Sequence, residues 1–117
     1  MDFNQSLIAL SALGQETRLE VFRLLIRAGD RGMQAGEISD ALDVRQNTMS
    51  ANLSVLVRAG LIRNVREGRT IRYYANINGI RGLLAFLMED CCGGNAELCK
   101  TVLDEIACEC GEGERAS

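Results

Sequence analysis

Five apolar runs at helical spacing, a single hairpin signal around Glu67-Gly68 and a positive charge confined to that neighbourhood predict a mainly α fold with a small β-hairpin. At 117 residues and 47% apolar composition the chain suits one compact domain near the size at which a second subunit helps, so a homodimer is expected. The charge is unevenly placed. Residues 45–81 hold seven arginines against the single acid Glu67, whereas residues 1–44 hold four arginines against seven acids, on a chain whose net charge is only −3. Basic charge gathered on one helix and one hairpin is the arrangement of a protein that grips a polyanion.

Residues 4–13 place Leu7, Ile8, Leu10, Ala12 and Leu13 at roughly helical period, and Gly14 ends the run. A second helix over 16–28 puts Leu19, Phe22, Leu25 and Ile26 on one face, Arg18, Glu20, Arg23 and Arg27 around the rest, and Gly29 as its stop. Asp30-Arg31-Gly32 reads as a turn, and residues 36–42 form a shorter helix burying Ile38 and Leu42. After a turn at Asp43-Val44, a fourth helix over 46–59 carries Met49, Leu53, Leu56 and Val57 on one stripe and Asn47, Ser50, Ser54 and Arg58 on the other. As the second helix of a helix-turn-helix, that polar stripe is either the part that enters a DNA major groove or a solvated face.

The next segment favours the groove. Gly60 ends the helix, residues 61–66 and 69–75 have strand composition, and Glu67-Gly68 is the turn between them. Arg63, Arg66, Arg69 and Arg72 line the hairpin and flank its tip, where like charges repel unless an anion is present; a wing resting on phosphate explains them. Tyr73 and Tyr74 alternate in direction, so either one packs inward while the other reaches the DNA backbone, or both are core or rim residues. The last helix carries Ile80, Leu83, Leu84, Phe86, Leu87 and Met88, more apolar surface than one subunit's core needs, which leaves a face for the partner.

Composition excludes several chemistries. With no histidine, Ser-His-Asp and Cys-His catalysis and every histidine-based zinc site are ruled out, and no enzyme activity is expected. No stretch reaches the length of a membrane span, and the start Met-Asp-Phe-Asn has no secretory pattern, so a cytoplasmic protein without a membrane partner is expected. Its five cysteines should then be reduced. All lie within residues 91–110 and are odd in number, a ligand or redox cluster rather than a disulfide framework.

Ala12-Leu13-Gly14 with Thr17-Arg18-Leu19, Gln46-Asn47-Thr48-Met49-Ser50 with Leu53, Leu56 and Ala59-Gly60-Leu61, and Arg66-Glu67-Gly68-Arg69 with Tyr73-Tyr74 resemble the ArsR/SmtB family over about residues 5–90. The resemblance implies a dimeric winged helix-turn-helix repressor that releases DNA when it binds a metal or metalloid. It assigns residues 1–90 to DNA binding and dimerisation, and 91–117 to a cysteine-bearing inducer segment with an acidic, disordered tail. Two copies joined by their first and last helices would set their recognition helices on an inverted repeat of double-stranded operator DNA. Gln46, Asn47, Thr48, Ser50, Ser54, Arg58, Arg63, Arg66, Arg69 and Arg72 are the expected DNA contacts. Two positions depart from the family pattern: Asn47 stands where proline is frequent and Asn52 where histidine is common, so the operator sequence does not carry over.

Cys91 and Cys92 end the last helix, Gly93-Gly94 lets the chain reverse, and Cys99 follows seven residues after Cys92, so three sulfurs can converge. Soft thiolates select soft ions, and arsenic(III) or antimony(III) takes three sulfurs in a pyramid. This set resembles that of arsenite-responsive family members, which implies arsenite or antimonite as inducer and repression of a metalloid-resistance operon. A thiol or persulfide redox switch and a zinc- or cadmium-sensing repressor of the same fold stay open. From other classes, so do a cysteine-based metalloid buffer and a thiol oxidoreductase. Cys108 and Cys110 are incidental or accessory ligands.

Overall fold

The computed structural model describes residues 2–88. The expectations for Cys91, Cys92, Cys99, Cys108 and Cys110, and for the segment 91–117, lie outside the described residues. The order of elements is α1 (Phe3–Leu13), α2 (Glu16–Ala28), a 3-10 turn (Gly29–Arg31), β1 (Met33–Gln34), α3 (Ala35–Leu42), α4 (Gln46–Arg58), β2 (Ile62–Glu67), β3 (Thr70–Ala75) and α5 (Ile77–Met88). The strands form one antiparallel sheet in the order β1-β3-β2. This is a winged helix-turn-helix, as the sequence predicts.

The first three helices start where the sequence supplies a cap. The Asp2 carboxylate accepts the Gln5 N–H at 2.7 Å while the Gln5 side-chain oxygen accepts the Asp2 N–H at 3.0 Å, a reciprocal box that opens α1. Gln15 opens α2 by accepting the Arg18 N–H at 3.0 Å. Before α3 the Glu37 carboxylate reaches back to the Gln34 N–H at 2.8 Å. Asp43 ends α3 in the left-handed region at φ 54°, which a short polar side chain tolerates better than a branched one.

The core is where α2, α3 and α4 meet. Leu25, Ile38, Met49, Leu53, Leu56 and Leu61 are fully buried, each contributing about 1.5–3 kcal/mol. One expected face is corrected. Helix α2 buries Val21, Phe22 and Leu25, while Leu19 and Ile26 are exposed. Helix α1 turns Ser6, Ala9 and Ala12 inward, because small side chains let it lie close against α2 and α4, and it leaves Phe3, Leu7, Ile8 and Leu10 outside. In α5 Leu83 is buried and Ile80 packs partly on the core, with Ile77 and Leu87 exposed. Phe3 meets Phe86 edge to face at 6.0 Å.

The sheet also departs from expectation. β1 is a third strand, two residues long, pairing Met33 with Tyr73 and Gln34 with Arg72. The hairpin turn lies one residue later than predicted: Glu67 pairs with Thr70, so Gly68 and Arg69 form the turn, with Gly68 at φ +64°. Among the described residues no helix is long and apolar enough to cross a membrane.

Helix α5 is seated by one close approach. Asn76 donates its backbone N–H to the Leu61 carbonyl and its side-chain amide to the Gly60 carbonyl, both at 2.9 Å, and Gly79 lies so near Gly60 that a Cβ would collide with that carbonyl. Gly79→Ala should therefore lower stability by about 1–3 kcal/mol, read as a lower melting temperature; an unchanged melting temperature would contradict the seating.

Candidate nucleic-acid interface

Burial of Met49, Leu53 and Leu56 decides the outer face of α4. Spaced four and three residues apart, these three side chains line the stripe against α2 and α3. Gln46, Asn47, Thr48, Ser50, Ser54 and Arg58 are consequently all exposed. Arg45 precedes the helix without a side-chain cap, and the Asn47 carboxamide oxygen accepts the Thr48 N–H at 2.9 Å. The first turn thus offers polar side chains together with the positive end of the helix dipole, a surface suited to phosphate and base edges.

The hairpin divides its arginines. Register places Arg63 opposite Tyr74, Arg66 opposite Ile71, and Val65 opposite Arg72, so Arg63 and Arg72 share one face of the sheet and Arg66 lies on the other. Arg69 stands in the turn. Arg66 donates from Nε to the Gly68 carbonyl at 3.2 Å, and among the described residues no ion pair engages Arg66 or Arg69. A groove lined by Gln34, Gly36, Ser50, Arg69 and Ile71 runs between the wing and the first half of α4. The structure thus brings Ser50 and Arg69 to one surface, and adds Gln34 and Gly36, which sequence reading did not single out.

The inference that all four hairpin arginines need an external anion is corrected. Arg63 lies over the Tyr74 ring at 4.3 Å from its centroid. Arg72 donates from Nε to Glu67 Oε1 at 3.0 Å, stands 3.9 Å from Glu37 Oε1, and donates to the Arg31 carbonyl at 3.1 Å. The Glu67 hydrogen bond raises the Arg72 pKa, so this guanidinium stays charged. Of the tyrosines, Tyr73 packs against the core and Tyr74 is held between Arg63 and the backbone at Gly32.

Arg18 ties the reading helix to the rest of the body. Its Nε donates to the Ala12 carbonyl at the end of α1 at 2.7 Å, and a terminal nitrogen donates to Asn52 Oδ1 on α4 at 3.3 Å. Asn52, which departs from the family pattern, is thus an acceptor for a part-buried arginine. Its place between Arg18 and Leu53 gave no sequence signal, because the partner is thirty-four residues away. Asn52→Ala should lower stability by about 1–3 kcal/mol, measured by chemical denaturation. Its cost should shrink in an Arg18→Met background; equal costs in both would show that the two side chains do not interact.

Comparison with known proteins agrees with this geometry. Residues 13–65 match the family described as a helix-turn-helix domain. The transcriptional activator HlyU of Vibrio cholerae is 26% identical over 91 residues, covering 78% of this chain and 82% of the relative. Its reduced form superposes with a TM-score of 0.59, covering 76% of this chain and 90% of that one. A putative arsenical resistance operon repressor ArsR of Halobacterium salinarum is 37% identical over 76 residues; the match spans 65% of this chain and 58% of the relative. The homodimeric winged helix-turn-helix DNA-binding domain of Mb0332 from Mycobacterium bovis, a possible ArsR-family transcriptional regulator, superposes with a TM-score of 0.61 at 27% identity, covering 73% of this chain and 76% of that one. By matched domain and fold, the chain is a winged helix-turn-helix protein similar to ArsR-family regulators of transcription.

Proposed function

We propose that the chain is a dimeric repressor of a metalloid-resistance operon that holds operator DNA through α4 and the wing and lets go when Cys91, Cys92 and Cys99 bind arsenite or antimonite. The observation that carries this reading is the donor set. A chain 37% identical, over its matched segment, to a putative arsenical resistance operon repressor has five cysteines, none before residue 91, and no histidine. Three thiolates suit a trivalent metalloid, whereas histidine-bearing zinc sites have no counterpart here. Cys108 and Cys110 serve as accessory thiols.

On DNA, Gln46, Asn47, Thr48 and Ser50 approach base edges, Ser54 and Arg58 follow along the groove wall, and Arg66 and Arg69 meet phosphates. Two copies related by a two-fold axis would place the α4 helices about 34 Å apart, one turn of an inverted repeat. Support for the dimer comes from the outward apolar side chains of α1 and α5, with Phe3 65%, Leu7 51%, Ile8 54% and Ile77 50% exposed. So many large apolar groups on two helices call for a cover. Metalloid capture draws Cys99 toward Cys91 and Cys92 beside the dimer helix, shifts the subunits and spoils the spacing of the two reading heads. A coupling of about 1–3 kcal/mol, roughly five- to 150-fold in affinity, is the ordinary scale of such switches.

The likeness to HlyU, one of whose solved structures is of a reduced form, favours a second reading in which the same thiols switch by oxidation. One titration separates the two. In a mobility-shift assay kept reduced by a phosphine, since thiol reductants would take up arsenite, arsenite should release the wild type while Cys91→Ser and Cys99→Ser stay bound. In a parallel arm with the phosphine removed, release by peroxide in a protein that arsenite does not release would favour the redox switch, and release of all three proteins alike by arsenite would remove the thiols from the mechanism.

The dimer has its own test. Leu7→Glu places a charge in the outward face of α1 and should turn a dimer into a monomer in sedimentation, with loss of operator affinity. An unchanged sedimentation coefficient would place the interface elsewhere.

A further inference from the structure

Glu67 is the single acid among residues 45–81, and it stands at the tip of the wing, where an anionic surface would repel it. The sheet supplies its counter-charge. Glu67 is opposite Thr70, and Arg72 follows two residues along β3 on the same face, the diagonal placement within reach of long side chains. Arg72 bonds Glu67 at 3.0 Å, and its other end is anchored on the body by the Arg31 carbonyl at 3.1 Å and Glu37 at 3.9 Å. The Arg72 side chain is only 25% exposed, against 41% for Glu67 and 56% for Glu37, so it is the inner member of the group. One more bond ties the tip to the body, the Gln34 side chain donating to Thr70 Oγ1 at 3.3 Å, and one closes the tip itself, Thr70 Oγ1 donating to the Glu67 carbonyl at 3.0 Å.

We propose that Arg72 is a positioning residue that neutralises and holds Glu67, so that Arg66 and Arg69 present an unopposed positive tip, and that it makes no phosphate contact itself. The inference rests on the wing meeting DNA. It narrows the four hairpin arginines to Arg66 and Arg69 as the direct contacts. Arg72 acts on them through the acid it holds and through the β1–α3 corner to which it is anchored.

The test is the salt dependence of binding to a short mixed-sequence DNA duplex, read by fluorescence anisotropy on the wild type, Arg66→Gln, Arg72→Gln and the double variant Arg72→Gln/Glu67→Gln. A lost phosphate contact lowers the slope of log affinity against log salt by about 0.9. Arg66→Gln should show that loss. Arg72→Gln alone leaves Glu67 uncompensated and should weaken binding on the order of fivefold. The double variant should regain most of that affinity with the wild-type slope. If the double variant instead loses about 0.9 of slope, Arg72 contacts phosphate and the proposal is overturned while the DNA reading stands. If the wild type shows no salt dependence, or Arg66→Gln leaves the slope unchanged, the wing does not meet DNA and both fail. A measurement that needs no variant guards against misfolding: the Arg72 Nε–H resonance of the wild type should keep its position on adding the duplex while that of Arg66 shifts, and a shift of Arg72 comparable to that of Arg66 would overturn the proposal.

Discussion

Everything this body presents to a partner depends on one packing constraint, the burial of Met49, Leu53 and Leu56 from α4 against α2 and α3. A helix has one rotational setting about its axis. Once those three side chains fill the core, Asn47, Ser50, Ser54 and Arg58 have no choice but to face outward. The same packing explains why the two preceding helices need so little else in common with the site. They supply Val21, Phe22, Leu25 and Ile38 to the other side of the core, and Arg18 fixes α4 to the end of α1 through Asn52 and the Ala12 carbonyl. A change in α1 is thus felt by α4 through one guanidinium as well as through apolar contact.

The wing follows a second constraint, the two-residue alternation of a strand. It sends Tyr73 and Ala75 toward the core and puts Arg66 and Arg72, which look equivalent in sequence, on opposite faces. Electrostatics then completes what alternation begins. Arg72 is paired with the one local acid and anchored to the corner before α3, whereas no ion pair engages Arg66 or Arg69 among the described residues.

Much of this was legible in the sequence, and the misses have particular causes. Gly29 and the periodicity before it set α2 over Glu16–Ala28, as predicted, because a long amphipathic run with a glycine stop is the strongest local signal there is. The α4 stripe was equally clear. Strand β1 was not, since two residues have no period and Met33–Gln34 is a strand only by virtue of its partner β3. The inward face of α1 carries no large apolar residue to signal it: Ser6, Ala9 and Ala12 let the helix approach, and the large ones face out. The pairing of Arg72 with Glu67 is not legible from charge alone, because it forms only once the hairpin closes and brings the two side chains to one face.

The proposed function joins two kinds of chemistry in one short chain, an arginine- and amide-bearing surface for a polyanion and a cysteine-only donor set for a soft ion. With no histidine in the sequence, cysteine is the soft donor at hand. Its central claim is that the ion is taken up by sulfur alone. X-ray absorption at the arsenic edge, on the reduced protein loaded with arsenite, tests it most directly: the account predicts a first shell of three sulfur atoms, and a shell of oxygen or nitrogen atoms would contradict it.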